Sequence, residues 1–467
     1  MLESRGLLPR KTEPQTGGGA SAFCAHWKWT IVLIATIIVV GAGLAIGLTL
    51  GLRKDNEDAG TGTALPTDGL PTISGQSAGG SMAMQHLVVY SGSVAGAMIA
   101  AGSPYGCGSQ HEMSNAQCMV GDFTQKITPK AAPNESLYYY TSYSYADVFG
   151  GISLDKSVEI VKDRSVQGLI DDYRNLRSTP VLLFQGRSDT VVLPPVMLAV
   201  RDQLQQFVAP DKLLLRLNNT AAGHVWSIDR SHCACGPVDW SAAATSLCVN
   251  AQNCHYDLTG DMLGLFFGAA SLRPPAESES DERIMWIRQW SYVSQPGRGV
   301  PFALADASAS QLLEWAPIYV PAGCTRASAG GERCRLHVNY HGCMSPPADQ
   351  CQLQSWAARL EWLKAIDINR YAETNGLIVL YPQTKDCWPW TAGSGDPMFD
   401  TNEGVDLAAV SAMVGALRSG AAALSSRPDD CDAATWALVE LGERDEHRAG
   451  GQGHRRWPGV MGRRGRK

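Results

Sequence analysis

Ser77, Asp189 and His224 are the side chains in this sequence whose types, order and surroundings can carry out acyl transfer. Ser77 lies in Ile73-Ser74-Gly75-Gln76-Ser77-Ala78-Gly79-Gly80-Ser81, a Gly-x-Ser-x-Gly pattern with a short apolar lead-in. A helix-compatible run, Met82 to Tyr90, follows it. Such a pattern suits a strand-to-helix turn so tight that the residues two away from the serine must be small. The turn lifts the serine Oγ above a sheet and aims the following N–H groups at the place where an oxyanion forms. Serine is a poor nucleophile until a base takes its proton. Histidine is the base suited to neutral pH, and an aspartate fixes its tautomer and stabilises the imidazolium.

The elements that must position these groups follow in order. Val94 to Ala101 is a small apolar run that reads as a buried parallel strand. Pro180 to Gly186 is a second buried strand, and Asp189 comes just beyond its end, where α/β sheets place functional residues. A helical stretch, about Pro195 to Val208, leads to a strand at Leu213 to Leu217. The next loop, Ala221-Ala222-Gly223-His224, carries the histidine. His232 and His255 compete for its role, and His224 is preferred because it directly follows a strand. The chain order Ser, Asp, His is that of the α/β hydrolases. Between Gly121 and Arg177, Tyr138, Tyr139, Tyr140, Tyr143 and Tyr145 crowd together. They read as a packed surface segment, with an aromatic lip over a site as the alternative.

The chain has 467 residues with 45% apolar and 18% charged, the composition of a folded globular protein. A net charge of −6 and a pI near 5.9 exclude the basic footprint of a nucleic-acid binder. Ile31 to Leu52 is a 22-residue run without a charge, long enough to span a bilayer as a helix. Trp27 and Trp29 stand at one edge as interface anchors. The basic residues Arg5, Arg10, Lys11 and Lys28 place 1–30 in the cytosol and the bulk of the chain outside or in the lumen. The alternative is a cleaved signal peptide, which the length of the run and of its preceding segment disfavours. Asn134 and Asn218 head glycosylation sequons usable only under that topology. Residues 53–70 read as a flexible stalk, 71–424 as the catalytic domain, and 425–467 as a disordered basic tail.

An α/β hydrolase ordinarily carries its oxyanion loop before the nucleophile, yet only a stalk and a span precede Ser77. Arg335 to Tyr340 reads as a strand that stops at His341-Gly342-Cys343, a turn of the oxyanion-loop type. Leu353 to Glu373 reads as a helix, Leu377 to Tyr381 as a buried strand, and Glu403 to Leu417 as a helix. That is the front half of the same sheet, so a circular permutation is expected. It requires the helix end near Leu417 to lie close to the stalk near Leu70.

At this point the sequence resembles the circularly permuted extracellular poly(3-hydroxybutyrate) depolymerases, a branch of the esterases. The matching pieces are Ser74-Gly75-Gln76-Ser77-Ala78-Gly79-Gly80, Ala100 to Cys107, Cys254-His255-Tyr256-Asp257, Val320-Pro321-Ala322-Gly323-Cys324, His341-Gly342-Cys343, Leu380-Tyr381-Pro382-Gln383 and Cys387-Trp388-Pro389-Trp390. The resemblance implies an α/β-hydrolase fold and ester hydrolysis without a cofactor. It implies Ser77 as nucleophile, Asp189 as acid, His224 as base, and an oxyanion hole at the N–H groups of Ala78 and Cys343. It further implies substrate contacts at His341, Gly342, Trp388 and Trp390. Pro389 departs from the family's Cys-Trp-Asp-Trp, and Pro71 shortens the lead strand. The expected substrate is a short-chain 3-hydroxyalkanoate ester, polymer or oligomer; a carbohydrate-ester esterase and a catalytically silent ectodomain remain the other readings.

There are 13 Cys. Cys107 with Cys118 and Cys324 with Cys334 are expected pairs closing short loops. Cys343, Cys351 and Cys387 compete for partners. Cys233, Cys235, Cys248 and Cys254 suit two bridges in an oxidising compartment, with zinc held by these together with His232 and His255 as the alternative.

Overall fold

Alternation with period two sorts the apolar strands between the two faces of one sheet. In β1 (Thr72–Gln76) Ile73 faces one core; in β2 (Gly96–Ala100) Ala97 and Ile99 join it, while Met98 and Ala100 face the other. β3 (Val181–Gln185) divides likewise, Val181 and Leu183 against Leu182 and Phe184. The first core is covered by the helices Ala78–Val89, Pro194–Leu204 and Val405–Ser419. The second is covered by Leu258–Phe267 and Ile368–Asn375. β2 and β3, buried on both faces, are apolar at nearly every position and so read as continuous runs.

The computed structural model describes residues 65–426 apart from 66, 68, 111–114, 122–144, 150–152, 218–219, 239–246, 294–309, 326–332, 344–352 and 392–394. The expected span 31–52, its cytosolic flank, the basic tail, Tyr138, Tyr139, Tyr140, Tyr143, Cys351 and the acceptors Asn134 and Asn218 lie outside the described residues. Among the described residues no helix is long and apolar enough to cross a membrane.

The sheet has nine strands in the order β11-β7-β8-β10-β9-β1-β2-β3-β4. Here β4 is Leu213–Leu217, β7 Ile284–Arg288, β8 Trp315–Tyr319, β9 Arg335–Tyr340, β10 Leu377–Leu380 and β11 Leu424–Ser425. From β10 to β4 every pairing is parallel, and β8, β7 and β11 add an antiparallel edge. β5 (Trp226–Ile228) and β6 (Ala251–Asn253) form a separate parallel pair. Pro71 has no N–H to give to the ladder. It stands just before β1 and its carbonyl accepts from Ala95 N–H at 2.8 Å.

Three expectations are corrected. The run Leu353 to Glu373 is two helices, Leu353–Ala365 and Ile368–Asn375. Asp367 breaks them in a left-handed conformation, φ 63°, and its carboxylate takes a fork of hydrogen bonds from Arg230 at 3.1 and 2.7 Å. The packed fold also reaches back into the expected stalk. Leu65 and Thr67 are buried, and Thr67 Oγ1–H donates to Arg418 C=O at 3.3 Å. The chain ahead of β1 therefore touches the end of the Val405–Ser419 helix. Finally, Tyr145 is neither lip nor surface: it is buried, its hydroxyl donating to Ser157 Oγ at 3.0 Å.

That last helix carries a buried acid. Asp406 accepts from Ser310 Oγ–H at 2.6 Å and Gln311 N–H at 3.1 Å, yet burial pushes its pKa from 3.8 up to about 6. A carboxyl whose folded value is raised contributes stability that is present below the unfolded value and is lost as pH rises through the folded one. Two units correspond to about 3 kcal/mol lost between roughly pH 4 and pH 7. Asp406→Asn has no such proton to lose. Its stability relative to wild type, read by urea unfolding at each pH, is expected to climb by that amount across the same window.

Candidate active site

β1 ends at Gln76, and the chain turns at once into the Ala78–Val89 helix. Ser77 is the hinge, with φ 61° and ψ −127°. A non-glycine residue in that region is strained and marks a turn over-determined by its surroundings. Ser77 N–H is held by Ala100 C=O at 3.0 Å, and its own carbonyl accepts from Ser81 N–H at 3.0 Å. The helix therefore begins immediately, and Ala78 N–H is one of its unpaired first-turn donors. The flanking glycines are required by contact. A Cβ on Gly75 would lie 2.1 Å from Gly79 O, and one on Gly80 2.4 Å from Ala100 O.

Asp189 stands in the loop after β3, and His224 in the loop after β4. The two loops are bonded together: Arg187 N–H donates to Thr220 O at 3.0 Å and Ser188 N–H to Ala222 O at 2.9 Å. Asp189 Oδ1 accepts from the N–H groups of Val191 and Val192 at 2.8 and 3.0 Å. Its Oδ2 lies 2.8 Å from His224 Nδ1, and the contact is buried. A carboxylate so satisfied can only accept, so Nδ1 carries the proton and Nε2 is left as the basic nitrogen. Ser77 and His224 are each 9% exposed. β1, β3 and β4 run parallel with β2 between the first two, so all three side chains stand past the carboxyl ends of one set of strands. Among the described residues Ser77 Oγ makes no hydrogen bond to His224. Catalytic contacts in unliganded sites often tighten only with substrate.

On the other side of β1, the turn His341-Gly342-Cys343 follows β9. A Cβ on Gly342 would meet Ser77 Cβ at 3.2 Å, so this turn passes directly over the serine. Cys343 is bonded to Cys387. His341 is fully buried, with Nδ1 2.5 Å from Gly342 O and Nε2 3.2 Å from Thr384 N. Trp388 packs edge-on against Tyr340 at 5.0 Å and tilted against His341 at 5.5 Å. Trp390 C=O accepts from Gln85 Nε2 at 3.2 Å. Both indoles are buried against protein. Thr384 was not singled out in the sequence; the only signal for it is its place just past the β10 strand.

Two further histidines are buried near β1 and neutral. His337 bridges Thr72 Oγ1 at 2.8 Å and Ser74 Oγ at 2.7 Å, and burial drives it down to about 3. His86 bonds Tyr340 OH at 2.6 Å and is driven down to about 4. The cysteines form Cys107–Cys118, Cys233–Cys248, Cys235–Cys254, Cys324–Cys334 and Cys343–Cys387. His232, Cys233 and Cys248 bring ligand atoms within 4.8 Å of one another. Both sulfurs are spent on the bond between them, so they do not form a thiolate site.

No family model matches the chain. It is 29% identical over 357 residues to the poly(3-hydroxybutyrate) depolymerase of Delftia acidovorans, covering 75% of this chain and 60% of that protein. It is 25% identical over 374 residues to the polyhydroxybutyrate depolymerase of Talaromyces funiculosus, covering 75% and 89%. The chain thus spans about 60% of the length of the first relative. Among solved structures it resembles a serine-to-alanine variant of a PHB depolymerase complexed with an R3HB trimer, at 25% identity and a TM-score of 0.55 over 77% of this chain and 99% of that one. The crystal structure of the PHB depolymerase from Penicillium funiculosum has the same coverage, 24% identity and a TM-score of 0.56.

Proposed function

We propose that this chain, 29% identical to one poly(3-hydroxybutyrate) depolymerase and 25% to another, is a serine esterase of that kind, cleaving short-chain 3-hydroxyalkanoate esters, polymeric or oligomeric. The observation that carries the reading is the buried Asp189–His224 hydrogen bond of 2.8 Å at the same sheet edge as the strained Ser77. The trimer held by one structural relative supports the substrate class.

His224 Nε2 takes the Ser77 Oγ proton as Oγ attacks the ester carbonyl. The oxyanion is met by Ala78 N–H and Cys343 N–H. Collapse of the tetrahedral intermediate expels the alcohol, which leaves with the proton from His224. Water, activated by the same ring, then releases the acid and restores Ser77. Nothing in these steps calls for a metal or cofactor.

The fold belongs with this chemistry as a circularly permuted α/β hydrolase. The contact of Thr67 with Arg418 supports that reading, because it brings the start of the nucleophile half to the end of the oxyanion half. The run 31–52 is proposed as an N-in membrane anchor, with the catalytic part outside or in the lumen and Asn134 and Asn218 as glycan acceptors. The disulfides suit that compartment.

The test uses the full chain. Release of 3-hydroxybutyrate from its oligomers and of p-nitrophenol from the butyrate ester are followed, and a serine-reactive phosphonate is located by peptide mass spectrometry. Both activities, lost together as the label enters the Ser77 peptide, are the expected result. Butyrate cleavage without oligomer cleavage moves the substrate to carbohydrate esters. A folded chain that neither cleaves nor labels rejects the esterase reading.

A further inference from the structure

We infer that His341 is a positioning residue of the oxyanion site, acting through the Gly342 carbonyl to aim the Cys343 N–H. The inference rests on the esterase reading and adds to it a residue that does not touch the substrate. Gly342 C=O and Cys343 N–H belong to one peptide group. That group is planar and trans, so its oxygen and its hydrogen point in opposite directions. Whatever pins the oxygen therefore aims the hydrogen. His341 Nδ1 lies 2.5 Å from Gly342 O, and a carbonyl can only accept, so Nδ1 is the protonated nitrogen.

The other face of the ring makes that assignment unique. His341 Nε2 lies 3.2 Å from Thr384 N and 3.4 Å from Thr384 Oγ1. A backbone N–H can only donate, so Nε2 is bare. Protonating it would set one donor against another. Burial, with the Arg359 guanidinium nearby, pushes His341 down to about 3 and so holds the neutral ring through the pH range of ester hydrolysis. Arg359 itself is engaged with Gln383 Oε1 at 2.8 Å and Lys385 O at 3.1 Å.

One segment holds the turn from three sides. Thr384 fixes the ring, Cys387 ties down Cys343, and Trp388 lies against His341. The turn needs such holding because it crosses Ser77 with only a glycine's clearance. A side chain that met the substrate would keep a polar atom toward solvent. This one has none free and is fully buried, so in this reading His341 braces the turn instead of meeting the substrate.

The test has two independent readouts on the full chain. With 15N-histidine labelling, the ring of His341, identified by its absence in His341→Asn, is expected to show protonated Nδ1 and bare Nε2 from pH 5 to pH 8. A protonated Nε2, or a ring titrating near 6.5, overturns the inference whether or not the protein cleaves esters. The second readout is kinetic. His341→Leu removes the donor to Gly342 O and is expected to lower kcat on p-nitrophenyl butyrate about 10- to 100-fold with KM within about twofold, since loss of one oxyanion donor outright costs about 10²–10³. His341→Asn, whose amide can reach the same carbonyl, is expected to recover most of kcat. A folded His341→Leu with wild-type kcat, or equal losses in both variants, overturns the inference. Wild type inactive on every ester counts against the esterase reading alone, and the ring spectrum then decides the inference.

Discussion

Asp189→Asn is expected to lower kcat for ester hydrolysis about 10⁴-fold, the scale set by the equivalent change in Ser-His-Asp hydrolases, while KM and the urea midpoint stay near wild type. The fold is spared because the amide oxygen can still accept from Val191 and Val192 N–H, as Oδ1 does now. The chemistry is not spared. The amide nitrogen replaces Oδ2 beside His224 Nδ1, where a 2.8 Å contact now takes the ring proton. Two donors cannot share that contact, so the ring moves its proton to Nε2. A protonated Nε2 cannot accept from Ser77 Oγ. The expected signature is a kcat effect at every pH where the wild type works, checked by steady-state kinetics with circular dichroism as the folding control. Activity within tenfold of wild type would remove Asp189 from the mechanism.

Gly79→Ala is expected to destabilise the protein by more than about 3 kcal/mol, beyond the ordinary range for overpacking by one methyl. Its Cβ would stand 2.1 Å from Tyr340 O and 2.4 Å from His341 O. Both are backbone atoms of the strand and turn that flank the nucleophile, so no side chain can swing aside. To make room, the Ala78–Val89 helix must leave β9, and every residue of that helix is buried. Gly415→Ala is the control. It lies in the Val405–Ser419 helix with nothing within 4 Å of its Cβ, and relief of glycine's backbone entropy is expected to stabilise by up to about 1 kcal/mol. Yield of folded protein and urea midpoints separate the two.

Much of the scaffold was legible because it is written in local pattern. Leu213–Leu217 and Arg335–Tyr340 appear as strands at the bounds the apolar runs suggested. The strand before Asp189 is where the sequence placed it, since a strand buried on both faces advertises itself as an uninterrupted apolar run; the strand before Ser77, with Ile73 as its one apolar side chain, was marked instead by the Gly-x-Ser-x-Gly pattern it runs into. Two of the bridges, Cys107–Cys118 and Cys324–Cys334, close loops short enough to suggest the pairing. β7 and β8 went unread. They form an antiparallel edge with Pro317 inside β8 facing Trp286, and proline inside a run argues against a strand.

What the sequence determined by itself is the set of elements and the order of Ser77, Asp189 and His224, because hydrophobic period and turn chemistry depend on neighbours along the chain. What only the tertiary structure decided depends on neighbours across it. Cys343 takes Cys387 rather than Cys351, which is nearer along the chain, because two loops meet beside Ser77. Asp367 breaks a helix for the sake of Arg230, far away in the chain. His341, for which the resemblance implied a substrate contact, becomes an internal brace because Thr384 N–H reaches its ring from the loop past β10. Whether a polar side chain faces solvent or is spent inside the protein is set by its through-space partners, and no spacing along the sequence encodes those.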